Sequence, residues 1–162
     1  MVYSIVMPDF TREEIEEVVK DSRKFESANL AGIDLSGANL SGANLRRADL
    51  SNANLTGAEL SEADLSEANL SGANLRGTDL SEATVRAAKL REAELRRAYL
   101  YWAKLHNKVN LSGASLTGAD LREANLKGTD LRGAEYNKYT QFPEGFDKTT
   151  AGLEWNGSGT SK

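Results

Sequence analysis

The sequence predicts an all-β solenoid, and three observations carry that reading. Leu returns every fifth residue from Leu30 to Leu80 and, after Val85, from Leu90 to Leu105; Ala stands two places before nearly every one of them; and Gly recurs in the last slot of the unit. A five-residue period fits neither regular element. In an α-helix five residues advance about 500°, so successive Leu would wind around the axis without making a stripe. In a strand five is odd, so they would alternate between faces. A chain that turns a corner once per unit buries every Leu, with each pentapeptide forming one side of a coil and Ala beside Leu filling a narrow interior.

After Leu105 one six-residue step leads to Leu111, and the period then runs through Leu116, Leu121, Leu126 and Leu131 to Tyr136. Of these 22 central residues, 18 have Ala two places earlier, the exceptions being Ile33, Thr78, Val109 and Thr129. The longer step is needed because an unbroken period would put Lys108 in the Ala slot, a buried charge at severe cost. One extra residue places Val109 and Leu111 inside instead. A one-residue bulge near 106–110 is therefore expected at a corner, with His106, Asn107 and Lys108 turned outward.

Units such as Ala38-Asn39-Leu40-Ser41-Gly42 and Ala63-Asp64-Leu65-Ser66-Glu67 resemble the A(D/N)LXX signature of pentapeptide-repeat proteins. The resemblance covers 28–138. It implies a right-handed quadrilateral β-helix with four units per coil, so that the 22 units make about 5.5 coils. The stretch Thr140-Gln141-Phe142-Pro143-Glu144-Gly145-Phe146-Asp147 is similar to tails of cyanobacterial members.

Open solenoid ends expose core and strand edges, so caps are expected at both. Residues 1–27 read as an N-terminal capping α-helix and lead-in: Thr11 and Glu14 make a capping box, and Ile15, Val18 and Val19 make an apolar stripe over a helix of about 12–22. That stripe either covers the first coil or joins two copies. Phe25 lies on the five-residue grid and opens the first coil. Residues 139–162 read as a C-terminal cap, with Phe142 and Phe146 covering the last coil, and a mobile Gly/Ser-rich tail from Asn156.

The net charge of −4 is unevenly distributed: 28–82 holds 3 basic and 8 acidic residues, whereas 83–108 holds 7 and 2. Read along the chain, the solenoid is a charge dipole. Known members that protect type II topoisomerases resemble duplex DNA in width and negative charge. That comparison implies, as the alternative function, a DNA-mimic inhibitor or protector, and Arg86, Lys89, Arg91, Arg96, Arg97 and Lys104 stand against an unbroken anionic surface.

Two candidate sites follow from stacking positions twenty residues apart. Around Leu100 all three outward slots are aromatic, Tyr99, Tyr101 and Trp102, with Glu82 one coil before and Arg122 one coil after. Aromatic residues rimmed by charge are the usual composition of a protein-binding hot spot. Large side chains covering the solenoid wall are the plainer reading. Arg86, Lys104, His106 and Lys108 form a candidate basic patch, which would suit an anionic ligand or is simply a set of solvated ion pairs.

Chemistry is sparse. Cysteine is absent, which excludes disulfides and thiolate metal sites, and the one histidine, His106, has no nucleophile with a sequence-level claim to it. Phosphate-binding loops, dinucleotide fingerprints and zinc spacings are missing. No enzyme activity, cofactor or metal is expected, nor a concave polar pocket. No run approaches the roughly 18 apolar residues of a membrane span, and no secretory pattern opens the chain, so the expectation is a cytoplasmic protein with a protein partner. Nucleic acid is disfavoured as a ligand, and self-association remains open.

Overall fold

In the computed structural model residues 25–106 and 108–157 are described. The capping helix expected over 12–22 lies outside them. From Phe25 onward the chain repeats a two-residue turn, a single bridging residue and a central apolar residue.

The unit Asp64 to Ala68 shows why five residues suffice. Asp64 donates its amide to the carbonyl of Ala43 in the coil before (2.9 Å), and Leu65 donates to Thr84 in the coil after (2.8 Å). Glu67 donates to Arg86 (2.8 Å), and Ala68 closes the corner on the carbonyl of Leu65 (3.0 Å). The remaining amide, that of Ser66, is bonded by the side chain of Asp64 at 3.0 Å. All five donors are satisfied, as a tightly wound backbone requires. The same side-chain acceptor recurs at Asn39, Asn44, Asp49, Asn54 and Asn74. Asn or Asp is thus favoured before the central residue because its short side chain reaches the corner amide.

The second corner residue is left-handed in unit after unit, whether Gly, as at Gly42 (φ 68°) and Gly57 (φ 65°), or not, as at Glu62 (φ 61°) and Glu82 (φ 60°). Glycine adopts this conformation without strain, while other residues pay roughly 1–2 kcal/mol.

Bridges join residues twenty apart, Asn29 with Asp49, Asp34 with Asn54, Asn39 with Glu59 and Asn44 with Asp64, all parallel. The coil therefore has four sides, each a ladder of single-residue rungs. Central residues from Leu30 to Leu121 are at most 2% exposed, and the Ala column beside them is similarly sealed. Each buried Leu contributes about 1.5–3 kcal/mol. Thr78, fully buried in the Ala column, sends its hydroxyl to the Leu55 carbonyl at 2.7 Å. Thr129 bonds the Leu105 carbonyl in the same way.

Rung spacing changes at the six-residue step. Thr84 pairs with Lys104, but Lys89 pairs with Asn110, one residue further on. Val109 is fully buried and Lys108 is exposed at φ 70°.

The C-terminal segment is more than a cap. Gln141 pairs with Asp120, again with one extra residue, and strand β1 (Glu135–Tyr136) pairs in parallel with β2 (Glu154–Trp155), with one residue fewer. The ladder thus continues through most of 139–162. Asn156, expected to begin a mobile tail, instead donates its amide to Tyr136 (2.8 Å) and its side chain to Glu135 (2.9 Å). Phe142 and Phe146 do pack on the core, stacked 5.0 Å apart, and Tyr136 meets Phe142 and Trp155 edge-on.

Two outcomes are expected. Thr78→Val keeps the shape but strips the hydroxyl, so chemical denaturation should show a loss of about 1 kcal/mol. Deleting Lys108 restores the five-residue step and should shift the melting temperature by only a few degrees, whereas deleting one residue between Leu60 and Leu65 should abolish cooperative unfolding.

Candidate functional site

The third side carries Asn39, Glu59, Asp79, Tyr99, Asp120 and Gln141 as successive rungs. Its corner stacks Gly42 on Ser61, Glu62 on Ser81, Glu82 on Tyr101 and Trp102 on Arg122 through backbone bonds of 2.8–3.2 Å. The five residues singled out from sequence, Tyr99, Tyr101, Trp102, Glu82 and Arg122, thus meet on three adjacent rungs. Tyr99, Tyr101 and Trp102 are 55%, 42% and 56% exposed, so each keeps a large part of its ring surface open to solvent. Tyr101 and Trp102 lie 6.0 Å apart, tilted by 41°. The Arg122 guanidinium sits 5.7 Å from the Tyr101 ring centre and is held from behind by both carboxylate oxygens of Asp120 (2.9 and 2.6 Å). That pairing lowers the pKa of Asp120, with the Arg122 side chain as the leading cause.

These aromatics depart from the repeat at a cost. Tyr99 stands where Asn or Asp would accept the corner amide, so the amide of Tyr101 has no side-chain acceptor among the described residues. Trp102 holds the left-handed corner at φ 59°, where Gly is free of strain. The loss is general to this coil, where Lys89, Glu94, Tyr99 and Lys104 successively replace the Asn or Asp, and it begins one unit earlier at Thr84.

The third side and its corner also concentrate charge. On its rungs and trailing corner Glu59, Glu62, Asp79, Glu82, Asp120 and Glu123 stand with one base, Arg122, a net of −5 on a 28–138 segment that sums to zero, while its leading corner carries Arg76, Arg96 and Arg97. Glu59, Glu62, Glu82 and Glu123 have no ion pair among the described residues. Arg86, Lys89, Arg91 and Lys104, which seemed to interrupt an anionic surface, are on other sides, whereas Arg96 and Arg97, like Arg76 one coil earlier, form the corner that leads into the third side. The axial dipole read from the sequence is therefore also a difference between sides.

The expected basic patch is on the fourth side and its corner. Lys104 pairs with Thr84, and Arg86 and His106 follow the central residues of successive rungs. Lower on this side the bases are matched: Arg46 reaches Asp64 (3.3 Å), and Arg47 reaches Glu67 (3.0 Å), drawing that carboxyl below its usual range. His106 is half-buried, and its Nδ1 is buried with no hydrogen-bond partner among the described residues, unlike the solvated residue expected. Lys108 is exposed beside it.

Sequence reading missed one concavity. A depression of about 310 Å³ opens beside the first side, lined by Arg91, Glu92, Asn110, Ser112, Asp130 and Arg132 among others. Its charges are internally paired, Arg91 with Glu92 (3.1 Å) and Arg132 with Asp130 (2.7 Å). No group of three His, Asp or Glu converges as a metal site among the described residues. None of their helices is long and apolar enough to cross a membrane.

Four-sided coils of five-residue units, with Leu and Ala inside and Asn or Asp at most corners, define a β-solenoid built from pentapeptides. The chain belongs to the pentapeptide-repeat family: the model described as pentapeptide repeats matches residues 24–57, 58–97, 68–107 and 93–135. A solved pentapeptide-repeat protein, Rfr23 from the cyanobacterium Cyanothece 51142, is 34% identical over 70% of this chain and 90% of its own, with a TM-score of 0.69. Alr5209, a pentapeptide-repeat protein from Nostoc PCC 7120, is 34% identical over 88% and 92% of the two chains, with a TM-score of 0.33. HetL, a pentapeptide-repeat protein involved in heterocyst differentiation regulation in Nostoc sp. strain PCC 7120, is 32% identical over 67% and 68%, with a TM-score of 0.36. No curated protein matches the chain.

Asp130 supplies an acid-sensitive anchor. Arg132, through its guanidinium first and its amide second, lowers the Asp130 pKa to about 2. A folded pKa below the unfolded value stabilises fully above about pH 4 and is lost as pH falls toward 2. Asp130→Asn should therefore flatten part of the fall in melting temperature between about pH 4 and pH 2.

Proposed function

We propose that the protein is a non-catalytic interaction module, whose solenoid presents the surface around Tyr99, Tyr101 and Trp102 to a protein partner. The single observation that carries this reading is that one unit exchanges the stabilising Asn, Ser and Gly of the repeat for three exposed aromatics, at a cost to its own backbone. Local rules broken without structural gain mark functional positions. Rigid aromatic side chains at partial exposure are also the usual anchors of protein interfaces. Among the described residues the interior is filled by Leu and Ala, which favours surface binding over catalysis on a small substrate.

Topoisomerase inhibition or protection by duplex mimicry is the second reading. The carboxylates of Glu59, Glu62, Asp79 and Glu82, with no base among them, favour it. The aromatic unit that ends this run after two rungs counts against it. A gyrase supercoiling assay decides: neither inhibition nor protection at micromolar protein removes that reading.

The combined variant Tyr99→Asn, Tyr101→Ser, Trp102→Gly restores the repeat's own residues. It should melt no lower than the parent and should lose partner capture from a cyanobacterial lysate. Capture that survives unchanged would overturn the site.

A further inference from the structure

We infer that the partner segment seated on the third side is arginine-rich, so that the aromatic unit and its flanking carboxylates form a guanidinium-binding surface. The inference rests on the partner-binding reading above and specifies its chemistry. Its starting point is the one guanidinium the surface already holds: Arg122 lies over Tyr101 with Asp120 accepting two of its N–H bonds. A ring in front and a carboxylate behind is the environment that a planar, weakly hydrated cation prefers.

The same ingredients recur beside it without an occupant. Trp102 is flanked at the corner by Glu82 in the coil before and Glu123 in the coil after, and neither carboxylate has an ion pair among the described residues. Tyr99 stands between Asp79 and Asp120 on the ladder. Glu62 and Glu59 extend the carboxylates one rung further. Charge decides the class of occupant. Rungs and a trailing corner at net −5 repel an acidic protein and the phosphates of a nucleic acid and attract a basic segment along that strip, which Arg76, Arg96 and Arg97 on the leading corner confine to one edge. Arginine is favoured over lysine because the exposed rings reward a flat guanidinium that also bonds a carboxylate in two places.

The test uses the full chain and a fluorescently labelled nona-arginine peptide, with nona-lysine as the probe of equal charge, followed by anisotropy at low and at physiological salt. Nona-arginine is expected to bind about tenfold more tightly than nona-lysine. Glu62→Gln with Glu82→Gln should weaken it about tenfold, and so should the triple aromatic variant, whereas Glu67→Gln with Glu94→Gln, the same charge change on other sides, should alter binding less than twofold. Equal affinity for the two peptides, or equal loss from the two Glu pairs, overturns the inference. If the aromatic variant loses capture of the natural partner while the Glu62/Glu82 pair and competing nona-arginine leave it intact, the surface stands and its cationic occupant falls. Sedimentation equilibrium adds a further arm: a dimer of the parent that the Glu62/Glu82 pair dissociates would make the occupant a second copy and also overturn it.

Discussion

Everything in this molecule depends on closing a corner every fifth residue without leaving a backbone donor stranded. Four amides per unit find carbonyls, three of them in neighbouring coils, and the fifth is too close to the turn to reach one. A short side chain with an oxygen two atoms from the backbone solves that problem. The left-handed residue solves the other half by reversing direction in the space of two peptides. Once both are in place the central side chain can point only inward, and Leu against Ala fills the space that four such corners enclose. The hydrophobic core is thus a consequence of turn chemistry as much as its cause.

This division of labour separates stability from surface. Inside positions tolerate almost no change, while the residues between them need satisfy only two local conditions per corner. The fourth coil relaxes both conditions at once, giving up its Asn and Asp acceptors from Lys89 to Lys104 and holding Glu92, Arg97 and Trp102 in the left-handed corner. Neighbouring coils that obey the rule supply the support that makes this affordable, as expected of a solenoid whose repeats stabilise one another.

Much of this was legible in the sequence. The Leu and Ala columns, the longer step before Leu111 and the meeting of Glu82, the three aromatics and Arg122 all follow from counting in fives and twenties. The role of Asn and Asp was not legible, because a polar residue in an outward slot looks like any solvated spacer until its oxygen is seen on a particular amide. The charged third side was hidden for a different reason. Its carboxylates are scattered along the chain from Glu59 to Glu123, and sums over contiguous stretches mix four sides together. Beyond Tyr136 the rungs are spaced by twenty-one and then by nineteen residues, so no fixed period could show that the ladder continues.

The four-sided winding gives insertions an unequal meaning. Gaining or losing four units lengthens or shortens the rod and leaves each downstream residue on its original side. Gaining or losing one unit is equally harmless to the interior, yet it turns everything after it by a quarter revolution. A lineage of such proteins can therefore reshuffle which surfaces face together, with no substitution at all, simply by slipping one pentapeptide.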